Sequence, residues 1–192
     1  MENNALKIKV ILGSTRAQRF GEQPAAWITE KAKAKGFDAE LLDLRDYPLP
    51  FFEEPVSPSM KKEPYANPIV AAWTAKIAEA DGFIFTVAEY NHGYTAVLKN
   101  AIDYVSQEWN KKPVAFVAYG SVGGARAADQ LRPVTTELQM VPIKTAVHMM
   151  APWTMLDAAG KMDFSSFEGS ADAMLTQLAW WAAALKEARA KG

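Results

Sequence analysis

The sequence predicts an α/β fold, a parallel sheet covered on both faces by helices. Two observations carry this. Five short apolar runs alternate with five stretches of helical spacing, as repeated strand–helix–strand units require. Within residues 82–105, the run Phe83-Ile84-Phe85-Thr86-Val87 stops abruptly in polar, Gly-containing sequence before helical spacing resumes. In open α/β sheets, ligands bind just beyond the carboxyl end of a strand. The segment Ala88-Glu89-Tyr90-Asn91-His92-Gly93-Tyr94 places donors, acceptors and aromatic rings at that point.

In chain order, Leu6 to Leu12 alternates and then turns wholly apolar, a central strand. Glu22 to Lys35 carries an apolar stripe of Trp27, Ile28 and Ala32 and reads as a helix with Gly36 at its C-terminal cap. Phe37 to Leu44 reads as a second strand. Residues 45–66 hold Pro48, Pro50, Pro55, Pro58 and Pro64, which excludes a helix or central strand. Tyr47, Phe51, Phe52 and Tyr65 make that stretch too aromatic for a plain linker, so an ordered flap or interface loop is expected. Pro68 to Ala80 places Ile69, Trp73 and Ile77 at helical spacing. The central strand, loop and helix follow, the helix marked by Val97, Ala101 and Tyr104 with Leu98, Ile102 and Val105. Pro113 to Tyr119 is a fourth strand, and Ala125 to Gln139 is a helix that Pro133 is expected to kink or split. Val141 to Val147 is a fifth strand, which Pro142 assigns to an edge. Residues 148–169 read as irregular, and Ala171 to Ala190 as a last helix with Met174, Leu178, Trp181 and Leu185 on one face.

A chain of 192 residues without internal repeat reads as one domain over 1–192, large enough for a substantial core. The formal net charge of −1 gives no electrostatic footprint for nucleic acid or an anionic membrane. The absence of Cys excludes disulfides, thiolate catalysis and Cys-ligated metal or iron–sulfur sites. The first residues lack a basic segment followed by a long apolar run, and no apolar stretch reaches spanning length. A cytoplasmic protein is expected.

Three loops stand at strand ends: 13–21, 88–95 and 120–124. Ser14, Thr15 and Arg16 offer hydroxyls and a guanidinium directly before a helix, a setting suited to phosphate. The same residues also suit a tight turn with a solvated Arg. No Gly-Lys-Ser/Thr follows and no G-x-G-x-x-G occurs, so neither a Walker A loop nor a Rossmann site is indicated. Ser121 directly follows Gly120, which is not the spacing of a nucleophile elbow. Tyr90, Asn91, Tyr94, Tyr119 and the glycines of 120–124 can bracket a planar ring, although each aromatic alone also suits packing.

Together these segments resemble the NADPH-dependent FMN reductase family, flavodoxin-like proteins that include quinone, azo-dye and chromate reductases. The resemblance rests on Gly13-Ser14-Thr15-Arg16 and on Glu89-Tyr90-Asn91-His92-Gly93 with Leu98-Lys99-Asn100-Ala101-Ile102-Asp103. It rests also on Tyr119-Gly120-Ser121-Val122-Gly123-Gly124 and on the Pro-rich Leu44 to Pro50. It implies a three-layer sandwich around a five-stranded parallel sheet of order 2-1-3-4-5. It places the FMN phosphate in loop 13–21, on Ser14, Arg16 and amides near Phe20 and Gly21, with Arg19 as a second candidate. It sets Ala88, Glu89, Tyr90 and Asn91 against the isoalloxazine through backbone groups, with Tyr119, Gly120, Ser121, Gly123 and Gly124 on the ring's other side. The family usually has Pro where this chain has Ala88, and Pro-Gly where it has Thr95-Ala96.

The implied activity is transfer of hydride from NADPH or NADH through bound FMN to quinone, free flavin or a similar small acceptor, with ping-pong kinetics. The cofactor carries that chemistry, so no catalytic acid, base or metal is assigned. His92 either donates to substrate or is a solvated loop residue, His148 has no role, and Lys99 with Asp103 reads as a helix-surface pair. Glu89 either meets ligand or caps a neighbouring helix. A homodimer or homotetramer is implied by the family, the aromatic loop and the adjacent Trp180-Trp181. The alternative is a flavodoxin-type electron carrier, for which near-zero charge offers no support; a flavin-free protein on the same scaffold is a further rival.

Overall fold

The computed structural model describes residues 5–191, so the reading of the chain's first residues lies partly outside it. Strands β1 (Lys7–Leu12), β2 (Asp38–Asp43), β3 (Gly82–Ala88), β4 (Pro113–Gly120), β5 (Val141–Pro142) and β6 (Val147–Met150) form one sheet. Its order is β2-β1-β3-β4-β5, all neighbours are parallel, and β6 also pairs with β4. The helices are α1 (Glu22–Ala34), α2 (Pro68–Glu79), α3 (Ala96–Asp103), α4 (Ala125–Glu137) and α5 (Glu168–Ala190). This is the flavodoxin-like sandwich expected from the sequence.

Period-two alternation assigns each strand residue to a layer. Phe83, Phe85, Val87, Val114, Phe116 and Ala118 face the α2/α3/α4 layer, where Trp73 and Trp109 complete an aromatic core. Ile84, Ala88, Ala115, Val117 and Tyr119 face the α1/α5 layer with Ile28, Met174 and Leu178. Trp109 meets Phe83 edge-on at 4.7 Å, the arrangement ring quadrupoles favour. Both faces of β3 and β4 are buried along their whole length, which is why they read as continuous apolar runs.

Capping sets the helix ends. Gly36 adopts φ +92° just past α1; its N–H reaches Lys33 O and that of Phe37 reaches Ala32 O, a Schellman closure. Asn67 caps α2 by accepting from Ile69 N–H, and Pro68 occupies the first turn. Thr95 caps α3 by accepting from Leu98 N–H and donates to Gly13 O, tying that helix to the loop after β1.

Three expectations need correction. The fifth strand is not one element over 141–147. Val141–Pro142 pairs with the start of β4, the chain steps away, and Val147–Met150 pairs with its end. Pro142 has no N–H to extend the ladder, so pairing lapses and resumes. Residues 148–169 are accordingly less irregular than expected: they include most of β6, short 3₁₀ turns, and a Leu156–Met162 bridge. Finally, Pro133, an exposed position, does not split α4, which is assigned as one helix over Ala125–Glu137. The carbonyl one turn earlier, on exposed Asp129, can find water instead of the missing N–H.

The Pro-rich loop 45–66 is ordered by specific bonds. The Asn100 amide donates to Pro50 O at 2.7 Å and accepts from Phe52 N–H at 2.9 Å. Tyr65 donates to Tyr104 O at 2.8 Å. Phe51 nevertheless stays 79% exposed.

Lys112 joins β4 to the end of α2. Its buried amine donates to the carbonyls of Ile77 at 2.9 Å and Ala78 at 3.0 Å. Burial, with Arg189 adding to it, lowers its pKa to about 8, against an opposing pull from Asp81 and Glu108. A neutral amine keeps two protons for the two carbonyls. The unfolded chain binds this proton up to about pH 10.4, so between about pH 8 and 10 it holds more protons than the native state. Native stability should therefore rise with pH across that window, by up to about 1 kcal/mol per unit. Chemical denaturation of wild type and Lys112→Met at several pH values checks this: the variant should lose that part of the slope.

Candidate functional site

The loops after β1, β3 and β4 converge on a cavity of about 260 Å³, lined among others by Arg16, Phe20, Glu89, Tyr119, Gly120 and Trp153. That is below the usual 300–1,000 Å³ of a small-molecule pocket, so part of a nucleotide-sized ligand would remain in the open. Two larger cavities, about 360 and 470 Å³, lie beside residues 57–65, against α2 and against the end of α4, and involve none of the three strand-end loops. Convergence of strand ends favours the smaller cavity as the functional one.

The first loop is shaped by two arginines. Arg19 is buried and donates to the carbonyl of Ser14 and to both carboxylate oxygens of Asp43 at the end of β2. Arg45 donates to the carbonyls of Thr15 at 3.4 Å and Arg16 at 2.6 Å, and pairs with Glu22 at 2.9 Å. Burial works against the Asp43 carboxylate, but bonds from Arg19 and the Arg45 N–H outweigh it and hold its pKa below the ordinary value. Three successive carbonyls are thus engaged by the two arginines. In a planar trans peptide the next N–H points away from its carbonyl. The N–H groups of Thr15, Arg16 and Ala17 therefore point away from the arginine that holds the preceding carbonyl, and those of Thr15 and Ala17 have no acceptor among the described residues. Arg16 N–H meets Ser14 Oγ at 3.4 Å; the Arg16 guanidinium makes no hydrogen bond or ion pair among the described residues and lines the cavity.

The second loop is a tight turn. Tyr90 N–H donates to Gly93 O at 2.8 Å and Gly93 N–H to Tyr90 O at 3.1 Å. Asn91 and His92 between them have φ of +50° and +76°, as a type I′ turn requires. Gln130 of α4 holds His92 O at 2.8 Å. Glu89 N–H is bonded to Tyr119 O at 3.0 Å. Of the backbone groups expected to face a ligand, the Glu89 carbonyl and the Asn91 N–H have no hydrogen-bond partner among the described residues. Tyr90 spends its own N–H and carbonyl on the turn, while its hydroxyl meets Ser14 Oγ at 2.8 Å and links the first two loops.

The Glu89 side chain resolves to the cap. Its carboxylate accepts from Arg126 N–H at 3.2 Å and from the Arg126 guanidinium. Gly124, at the N-cap of α4, has no side chain to do this, so Glu89 supplies the missing acceptor from another loop. Gly124 is required there: it has φ +67°, and a Cβ would lie 2.5 Å from Tyr119 N. Gly123 has φ +70°, and its carbonyl accepts from His148 Nδ1 at 2.9 Å, so His148 serves to brace this loop. A Cβ on Gly120 would lie 2.9 Å from Glu89 Cβ, which keeps the second and third loops in contact.

Among the sequence-derived candidates, Arg16, Arg19, Phe20, Ala88, Glu89, Tyr90, Tyr119 and Gly120 line the cavity together. Ser14, Gly21, Asn91, Ser121, Gly123 and Gly124 lie in the same three loops without lining it. Tyr94 packs instead on the α2/α3/α4 core. Sequence reading missed Gln18, Pro152, Trp153 and Leu156, which also line the cavity, and Arg45, which braces it. The wall at 152–156 is pinned to α1 by Gln23, whose amide donates to Gly160 O at 2.8 Å and accepts from Met162 N–H at 2.9 Å. An aromatic residue soon after an edge strand that neighbours β4 was the available signal.

A family model described as NADPH-dependent FMN reductase matches residues 6–154. An NAD(P)H-dependent FMN reductase of Schizosaccharomyces pombe is 45% identical over 135 residues, 70% of this chain and 68% of the relative. Another, from Nectria sp, is 36% identical over 186 residues, 94% of this chain and 90% of the relative. Among solved structures, the flavoenzyme FerB, an NAD(P)H:(acceptor) oxidoreductase from Paracoccus denitrificans, superimposes with a TM-score of 0.70. It covers 95% of this chain and 98% of its own at 19% identity, a likeness of fold. On the match over residues 6–154 and the two relatives, the chain belongs to the NADPH-dependent FMN reductase family.

Proposed function

We propose that this protein binds FMN across the three strand-end loops and uses NADPH or NADH to reduce small acceptors such as quinones or free flavin. The observation that carries the reading is the first loop: three carbonyls are held by Arg19 and Arg45, leaving the Thr15 and Ala17 N–H groups and the Arg16 guanidinium for an anion. A phosphate monoester, bearing a charge near −2, suits that donor set. The flat surfaces of Tyr90 and Trp153 and the slender glycine loop 120–124 suit a planar ring at the mouth.

When bound, FMN supplies the hydride and electron transfer chemistry. The protein's part is to bind, orient and leave a face open. Ser14, Arg16 and the 15–17 amides would hold the phosphate; the Glu89 carbonyl and Asn91 N–H would meet the ring's polar edge. The Glu89 carboxylate is engaged by Arg126 at the start of α4, and no acid–base role is assigned to it. His92 is exposed, its carbonyl alone being engaged, so no proton-transfer role is assigned to it. Reductant and acceptor would use the same open face in turn, which makes ping-pong kinetics the expected pattern. No helix among the described residues is long and apolar enough to cross a membrane, and the proposed setting is the cytoplasm.

The direct test is the spectrum of the purified protein with and without added FMN, followed by steady-state NADPH oxidation with a quinone. Bound flavin absorbance with turnover supports the reading. Bound flavin without turnover would make the protein an electron carrier, and failure to take up FMN would overturn the proposal. Arg16→Ala should raise the FMN dissociation constant by about one to two orders of magnitude, the scale of one charge-assisted bond, and leave riboflavin affinity nearly unchanged. Titrating both flavins into the apoprotein checks this; equal losses would point to a damaged ring site or fold.

A homodimer or homotetramer is proposed from surface chemistry. Trp180 is 64% exposed and stacks edge-on with Trp181 at 5.0 Å, so the pair offers an aromatic edge on α5. Light scattering at micromolar concentration should give at least twice the 21.1 kDa of one chain. A monomer mass would contradict this.

A further inference from the structure

Tyr119 carries a hydroxyl that the fold does not use. Alternation along β4 turns this side chain toward the α1/α5 layer, where its ring meets Phe20 edge-on at 5.1 Å. The residue is only 8% exposed. Its hydroxyl nevertheless has no hydrogen-bond partner among the described residues. No fully buried side-chain polar atom among them lacks a partner, so the hydroxyl is a part of Tyr119 that remains accessible, in a residue lining the cavity. Burial, with the Tyr90 phenol adding to it, raises its pKa against the opposing pull of Arg19 and Arg16, and the group stays a neutral O–H donor.

The position of this oxygen is specific. A Cβ on Gly21 would lie 2.3 Å from it. Glycine at 21 therefore makes room for the phenol, at the N-cap of the 13-residue helix α1. The N–H groups of Gly21 and Glu22 have no acceptor among the described residues, and the Glu22 carboxylate is turned onto Arg19 and Arg45. A helix N-terminus with unspent donors thus lies beside a neutral phenol donor, and the residue that carries the phenol lines the cavity together with Arg16. Phe at 119 would fill the same layer without any polar group to satisfy, so packing alone gives no reason for the hydroxyl.

We infer that the Tyr119 hydroxyl is a ligand-binding donor that selects a phosphorylated flavin over its unphosphorylated form, by hydrogen bonding to the phosphate at the N-terminus of α1. The inference rests on the flavin reading above and adds to it a contact from β4. It assigns the phenol to the phosphate, in place of ring cover.

The test uses full-length apoprotein, wild type and Tyr119→Phe, titrated with FMN and with riboflavin by quenching of flavin fluorescence, alongside thermal unfolding. Wild type should prefer FMN. Tyr119→Phe should weaken FMN binding by roughly 10- to 100-fold, the effect of one hydrogen bond to a charged group, and leave riboflavin unchanged. Its melting temperature without ligand should match wild type, because the hydroxyl has no protein partner to lose. Unchanged FMN affinity, or equal losses for both flavins, would overturn the inference while leaving the flavin reading intact. A marked drop in melting temperature would also overturn it, by showing that the hydroxyl serves the fold. Wild-type protein that binds neither flavin would overturn both.

Discussion

The site depends on the arginine brace behind the first loop. A loop of closely spaced peptides can present carbonyls or N–H groups to the cavity, and only the second arrangement accepts an anion. Arg19 and Arg45 decide this by occupying the carbonyls of Ser14, Thr15 and Arg16. Both guanidiniums are themselves anchored, Arg19 on Asp43 and both on Glu22. Arg19 lies almost wholly out of water, where an unpaired charge would be costly; paired with Asp43 and bonded to a carbonyl, it is stable. Nearby positive charge also makes the loop more attractive to an anion without being consumed by it.

The other two loops are held to the first by contacts that use up their own polar groups. Tyr90 reaches Ser14, Glu89 caps α4, Thr95 reaches Gly13, and His148 holds Gly123. Each bond fixes a loop and removes a side chain from the list of possible acids and bases. A site whose conspicuous carboxylate is committed to a helix terminus suits chemistry that a cofactor performs. The same economy explains the glycines. At 21 and 120 a Cβ would strike a side chain of a neighbouring loop or strand, and at 124 it would strike the β4 backbone, so all three permit close approach.

Strand positions were legible because burial on both faces leaves an unbroken apolar run, and helix positions because capping residues such as Asn67 and Gly36 stand where the backbone needs them. The three loops were legible for the same reason: an apolar run that ends in Gly and polar residues marks a strand end. What sequence could not show was which polar groups are already spent. Arg16 and Arg19 look alike in sequence, but one is exposed and the other is locked by Asp43 across a gap of 24 residues. Arg45 lay in a stretch whose prolines drew attention to its backbone. Trp153 escaped because β6 rejoins the sheet after a lapse in pairing, which no local pattern announces.

The central claim is that the braced loop receives a fully ionised phosphate. Phosphorus NMR of FMN bound to the protein tests it most directly. A phosphate monoester in water takes up its second proton near about pH 6. N–H donors and a guanidinium stabilise the dianion and push that protonation well below its usual range. The account predicts a bound phosphorus resonance that holds the dianion position from about pH 8 down to about 5.5. A resonance that shifts with a midpoint near about 6, as in free FMN, would place the phosphate in solvent and contradict the account.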